Sequence, residues 1–281
     1  MKKLQYALIS VIFVICALFA AGCTSPQTSG QQYVPPTTLT TAPTGTLTTI
    51  LVFAGAGLKA PLDEIGTAFT KKYGIGVQYN YGGAGTLVSQ LNLTRKGDVF
   101  MPGSTMEFQI AMGKGLVNDS QFVAYHIPVI AVQKGNPKNI TSLKDFARPG
   151  LKIALGDVNA TAIGKAGAKM FKVLNITAAV EKNVVTRSPT VNELAVIMNT
   201  GQADAALLTQ DQVNTDKVDV ITIPVNDNVI LITPIGATTF SANPSAAAQF
   251  IAFVASDEGK AYFVKHNFTA YPDPKYAGVK P

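Results

Sequence analysis

Residues 50–74, ILVFAGAGLKAPLDEIGTAFTKKYG, carry the unit on which the rest of the chain is built. An apolar, β-branched run over 47–53 reads as a buried strand. Ala54-Gly55-Ala56-Gly57 follows as a small-residue loop. Leu58, Leu62, Ile65, Phe69 and Tyr73 then recur at helical spacing. Pro61 is tolerable only in the first turn of that helix, and Gly74 supplies its C-cap.

The same strand, glycine loop and helix recur downstream. Val77, Tyr79 and Tyr81 alternate as a strand, and Gly82-Gly83-Ala84-Gly85 leads into a helix from Thr86. A short strand at 98–101 precedes Ser104-Thr105-Met106-Glu107, which has the form of a capping box. Further on come a strand at 151–155, a loop at 156–162 and a helix with Ile163, Met170, Phe171 and Leu174 on one side. A strand at 184–187 leads to a second capping box, Thr190-Val191-Asn192-Glu193, with Gly201 as stop signal. Strands at 205–208, 220–223 and 229–240 precede a helical segment from Asn243-Pro244 to His266, and 269–281 reads as an irregular cover.

Strands alternating with helices define an α/β fold with mixed, mostly parallel sheets. Extended stretches at 122–132 and 229–235 join two blocks of the pattern, so the expectation is two lobes with a ligand cleft between them. The expected boundaries are 47–127 for the first part of lobe 1, 128–230 for lobe 2, and 231–281 for the completion of lobe 1 with the tail.

The chain before this region reads differently. Lys2 and Lys3, an apolar core over 4–21 and Ala20-Ala21-Gly22-Cys23 describe a secretory signal (1–23) with Cys23 as lipid acceptor. A retained membrane helix is the rival reading, at the short limit for a span. Residues 24–46, rich in Thr and Pro, form an expected flexible stalk. The folded part is therefore placed outside the cytoplasm, anchored to the outer face of the cell membrane.

The chain has two cysteines, Cys16 and Cys23, so processing leaves no thiol for a disulfide, a nucleophile or a metal site. The formal charge of +6 becomes +4 when Lys2 and Lys3 leave, and like charges never run beyond two, which excludes a nucleic-acid footprint. Six N-x-S/T sequons occur, at Asn92, Asn118, Asn139, Asn159, Asn175 and Asn267. A glycan on Asn159 would obstruct the expected cleft, so that residue is expected to stay unmodified.

Five junctions share the order strand, small-residue loop, helix start: 54–58, 82–86, 103–104, 156–163 and 188–191. A helix start holds N–H groups without internal partners, and its dipole favours negative charge. Several such starts on one cleft make an oxyanion trap of neutral donors. Hydrogen bonds to charged groups net about 1.5–3 kcal/mol each, so five to seven exceed the roughly 8–12 kcal/mol of a micromolar to nanomolar ligand. Alternatively, the glycines merely let strands enter helices tightly. No G-x-x-x-x-G-K-[ST] is present, no G-x-G-x-x-G sits at a first βα turn, and no G-x-S-x-G or S-x-x-K marks a nucleophile. Of the two histidines, His126 reads as structural and His266 as a helix-end cation. Tyr79 and Tyr81 read as core or cleft wall rather than ferric ligands. Asp157, Glu193 and Asp211 read as caps or hinge contacts. An enzyme is not expected.

The segments ILVFAGAGLKAPLDEIGTAFTKKYG, YGGAGTLVSQL and GDVFMPGS resemble the molybdate-binding components of ABC importers. The resemblance continues through IPVIAVQKGNP, LKIALGDVNATAIGKAG, VNELAVIMNTGQADAALL and DEGKAYFVKHNF, in family order over 48–268. It implies a periplasmic-binding-protein type II fold that closes on molybdate or tungstate and delivers it, as a monomer, to an ABC permease, with no other cofactor. The family's two serines fall at Gly57 and at or beside Ala84, its backbone contacts near Ile163 and Val191, and its tyrosine at Thr209. The implied ligand set is therefore Ala56, Gly57, Ala84, Gly85, Thr86, Ser104, Thr161, Ile163, Val191 and Thr209. Because the serines and the tyrosine are absent, another oxyanion or a small organic anion stays open as cargo. An exported enzyme and a surface adhesin are the remaining alternatives.

Overall fold

Apolar strands whose two faces must both be covered, followed by amphipathic helices, resolve into sheets with helices on either side. The computed structural model describes residues 48–280 and contains two such sheets. The expected signal peptide, Cys23 and the stalk lie outside the described residues.

The first sheet begins with β1 (Thr49–Gly55), a 3-10 turn at Ala56–Leu58 and α1 (Lys59–Tyr73). It continues with β2 (Gly76–Gly82), α2 (Ala84–Thr94), β3 (Val99–Met101), α3 (Thr105–Gly113) and β4 (Gln121–His126). The chain then crosses to β5 (Pro128–Gln133), β6 (Ile153–Gly156), α4 (Ala162–Val173), α5 (Thr177–Glu181) and β7 (Val184–Ser188). The second sheet is completed by α6 (Val191–Asn199), β8 (Ala205–Thr209), a 3-10 turn at Gln210–Gln212, and β9 (Val218–Thr222). The return consists of β10 (Leu231–Ala237), α7 (Pro244–Ala255), α8 (Asp257–Lys265) and β11 (Thr269–Ala270).

Strand order is β11-β4-β10-β3-β1-β2 in one sheet and β7-β6-β8-β5-β9 in the other. The βα repeats pair in parallel: β1 with β2 and β3, β6 with β7 and β8. The crossing strands do not. β10 runs antiparallel to β3 and β4, β11 to β4, and β5 to β8 and β9. The sheets are thus more evenly mixed than the sequence reading, because the strands that enter and leave a lobe carry no crossover helix. The tail is also less irregular than expected, since Thr269 and Ala270 pair with Tyr125 and Ala124.

Each sheet is covered on both faces. In lobe 1, α1 seats Leu62, Ile65 and Phe69, all fully buried, against β1 and against Phe250 and Val254 of α7. Phe69 and Phe250 meet edge to face at 5.1 Å between ring centroids. Burying each such side chain stabilises by about 1.5–3 kcal/mol. The opposite face packs Leu87, Leu91 and Phe108. In lobe 2, Ile163, Met170 and Phe171 of α4 cover one face and Leu194 and Met198 of α6 the other. Gly74 closes α1 in the left-handed region, at φ 68°, as its position in the sequence predicts. Residues Gly45–Pro281 form one compact unit that contains every one of these clusters.

Two capping boxes expected from sequence do not close. Ser104 is the N-cap of α3, but its hydroxyl donates to the Glu107 carboxylate rather than receiving a backbone N–H. Thr190 does accept from Glu193 N at 3.3 Å, while the Glu193 carboxylate turns to Ser188 Oγ at 3.1 Å. α2 starts at Ala84, two residues before the expected Thr86.

Candidate functional site

Parallel strands end at their carboxyl edge in the loops that start helices, and in α/β sheets ligands collect beyond that edge. Here the edges of both sheets face one cavity of about 50 Å³. Drug-sized pockets run about 300–1,000 Å³, so this one suits a solute of a few heavy atoms. Lobe 1 contributes Gly55, Ala56, Gly57 and Leu58 from the end of β1, Gly82, Gly83 and Ala84 from β2–α2, and Gly103 after β3. Lobe 2 contributes Thr161, Ala162 and Ile163 at the start of α4, Thr190 and Val191 at the start of α6, and Thr209 at the end of β8.

The geometry explains this wall. Gly57, Ala84, Ile163 and Val191 lie in first turns, where N–H groups have no intrahelical acceptor. A helix start carries roughly half a positive charge, so a wall built from several of them favours an anion. Among the described residues no Asp, Glu, Lys or Arg lines the cavity, and His126 is the one ionisable side chain on its wall.

Small residues let the lobes touch. A Cβ on Gly83 would lie 2.5 Å from the Pro189 carbonyl oxygen and 2.7 Å from that of Ala160. One on Gly85 would overlap the Asn159 carbonyl oxygen, and Gly85 N donates to Ala160 O at 3.1 Å. Gln212 Nε2 donates to Gly57 O at 2.9 Å. The lobes are closed upon one another.

Of the residues selected from sequence, Ala56, Gly57, Ala84, Thr161, Ile163, Val191 and Thr209 line the cavity; Gly85, Thr86 and Ser104 do not. Gly85 is engaged by lobe 2, Thr86 is exposed, and Ser104 is buried on Glu107. The threonine hydroxyls on the wall are largely committed. Thr161 Oγ1 donates to Asp157 O at 2.8 Å and accepts from Gly164 N at 3.0 Å, which caps α4. Thr209 Oγ1 reaches Asp211 Oδ2 at 3.2 Å. Thr190, read from sequence only as a cap, accepts from Glu193 N and keeps its own hydrogen for another acceptor. The donors on this wall are thus mainly backbone.

His126, read from sequence as structural, also lines the cavity. It is 4 % exposed at the end of β4, with Nδ1 3.0 Å from Asp211 Oδ1 across the lobe boundary. Asp211 does make the expected hinge contact. Asp157 Oδ1 accepts from Asn159 N and Ala160 N, shaping the loop before α4. Tyr79 and Tyr81 stack at 5.1 Å outside the cavity and bond Leu62 O and Asp63. Burial first, and Asp63 second, push both phenols up from their ordinary value. His266 sits on Glu64 Oε1 at 2.9 Å, far along the chain from this wall.

Two α/β lobes joined by crossing strands and closed over a small cavity of helix starts define a solute receptor of the periplasmic type. The chain belongs to the bacterial extracellular solute-binding protein family, whose model matches residues 50–269. A binding protein of Haemophilus influenzae is 30% identical over 78% of this chain and 90% of its own. The molybdate-binding protein ModA of Mycobacterium bovis is 28% identical over 92% of this chain and 94% of its own. Among solved structures, the sulfate-binding protein SubI of Mycobacterium tuberculosis superposes with a TM-score of 0.71 at 19% identity, over 83% of this chain and 92% of that one. The family is one of solute-binding proteins of ABC importers, so the chain is a transport receptor and not an enzyme.

Proposed function

We propose that the receptor captures a tetrahedral oxyanion, molybdate or tungstate, and presents it in the closed form to an ABC permease. The observation that carries this reading is the convergence of helix starts from both lobes on a cavity whose described wall holds no Asp, Glu, Lys or Arg. Such a wall solvates a fully ionised anion without a counter-cation and leaves little for a neutral sugar to bind. The ModA relative supports molybdate as cargo; the likeness to a sulfate-binding protein keeps sulfate as the specific competitor. Discrimination between these dianions rests on cavity size, since their oxygens accept alike.

Ala56, Gly57, Ala84, Ile163 and Val191 supply the backbone contacts in this reading, with Thr161 and Thr209 shaping the loops. Cys23, outside the described residues, anchors the chain by lipid to the outer face of the membrane, and the receptor works as a monomer. Among the described residues no helix is long and apolar enough to cross a membrane.

The test is thermal unfolding with molybdate, tungstate, sulfate and a neutral sugar. A ligand at about a hundred times its Kd stabilises by about 2.7 kcal/mol, or roughly 5–10 °C for a chain of this size. The reading expects that shift with molybdate and tungstate alone; a shift with the sugar alone contradicts it.

A further inference from the structure

We infer that His126 is a direct ligand contact that becomes a donor by taking up one proton as the anion binds, so that capture is coupled to proton uptake. This rests on the oxyanion reading of the cavity.

The imidazole is held in one orientation. Its Nδ1 lies 3.0 Å from Asp211 Oδ1, and both side chains are buried, at 5 % and 1 % exposure. Asp211 receives two further donors on its other oxygen, Thr209 Oγ1 at 3.2 Å and Gln212 Nε2 at 2.9 Å. With Oδ2 taken by those two donors, Oδ1 is left as the acceptor facing the ring, and an acceptor against Nδ1 places the ring hydrogen there. The opposite edge of the ring then faces the cavity. Its Cε1 is 3.6 Å from where a Cβ on Gly57 would stand, and its Nε2 is 3.7 Å from one on Gly103. Both glycines line the cavity, and among the described residues no group hydrogen-bonds Nε2.

In the neutral ring with hydrogen on Nδ1, Nε2 carries a lone pair, which opposes an oxyanion. Protonation at Nε2 reverses that sign and yields a charged donor, the stronger kind. The charge balance favours the change. A dianion beside the Asp211 carboxylate places three negative charges in a site without a lysine or arginine on its wall. One proton from bulk solvent, added at Nε2, removes one of them and forms a hydrogen bond to the anion. No other group on the wall titrates.

Among the described residues, Asp211 is the one charged group bonded to the ring. Phe268 lies edge to face at 4.8 Å, and Leu231 of β10 is its register partner across the strand pair. Glu107 stands beyond Gly103 and Ser104 and is already paired with Lys165 at 2.7 Å.

Calorimetric titration of Gly45–Pro281 with sodium molybdate, in buffers of different ionisation enthalpy near pH 7.5, counts the protons. The expected result is about one proton taken up per anion, with Kd rising up to about tenfold per pH unit above neutrality. His126→Gln keeps a hydrogen-bonding side chain but cannot titrate; it should bind with no proton uptake and no pH slope. Asp211→Asn, a second variant, should reduce the uptake, because the ring loses the charge that holds it. Tight molybdate binding without proton uptake by the unaltered protein, or unchanged uptake in His126→Gln, overturns the inference while leaving the oxyanion receptor intact. Absence of binding for molybdate, tungstate and sulfate alike overturns both.

Discussion

Lys165 Nζ lies 2.7 Å from Glu107 Oε1, and this ion pair spans the two lobes. Glu107, on α3, is wholly buried and also receives the Ser104 hydroxyl; Lys165, on α4, keeps 21 % of its side chain exposed. A buried carboxylate stripped of its cation loses about 3–5 kcal/mol. Because the cation comes from the opposite lobe, the pair is made in the closed form, and the loss is expected to fall there.

Lys165→Met should therefore weaken oxyanion binding by at least tenfold and lower the melting temperature of the liganded protein more than that of the free one. Parallel melting curves check this. An equal drop in both would place the pair in the general fold instead of in closure.

Gly85→Ala isolates closure more cleanly. Its added methyl meets the Asn159 carbonyl oxygen, a backbone atom of the opposite lobe, so it obstructs contact without entering either core. Binding should fall at least tenfold with the free protein's melting temperature held within a few degrees, an Ala in place of Gly inside a helix being worth about 1 kcal/mol in its favour. Small-angle scattering should show the variant open with molybdate present.

Gly57 stands where the family resemblance expects a serine. A Cβ there would lie 2.9 Å from Val191 Cγ1, the end of a side chain that can be shortened. Gly57→Ser alone should weaken binding, and Val191→Ala should rescue part of it, making the pair non-additive by about 0.5–3 kcal/mol in a double-mutant cycle. Additive effects would separate the two residues.

Stability should decline in acid. Hydrogen bonds from Lys265, then from His266, hold Glu64 below its ordinary value of 4.5. Lys134, then the Gly135 amide, hold Asp219 below 3.8. A depressed carboxylate contributes stability above its unfolded value and loses it as pH falls through the folded one. Melting temperature should thus drop below about pH 4, and Glu64→Gln with Asp219→Asn should flatten the drop. Both carboxylates keep more than a third of their side-chain surface in water, at 35 % and 39 %, so screening makes the change small.

The βα rhythm was legible because each repeat carries its own local signals: alternation or a buried run, a glycine loop, a 3.6 period and a stop at Gly74 or Gly201. The helix starts that face the cavity were legible for the same reason. What escaped was set by contacts distant in sequence. Lys165 reaches across 58 residues to Glu107, which draws Ser104 out of its capping box. His126 meets Asp211 across 85 residues, and no local pattern announces that pair. The antiparallel strands were misjudged because their partners come from the far end of the chain. The hydroxyls of Thr161 and Thr209 looked available as residue types, yet their hydrogens go to Asp157 and Asp211.

The central claim, that a wall of helix starts binds a small dianion, is tested most directly by calorimetric titration of Gly45–Pro281 with molybdate, tungstate and sulfate in turn. The account predicts one site per chain, saturating at micromolar or lower concentration with molybdate and tungstate, and little or no heat with sulfate. Saturation by sulfate in preference to the larger anions would contradict the assigned cargo, and no binding of any of the three would contradict the oxyanion site itself.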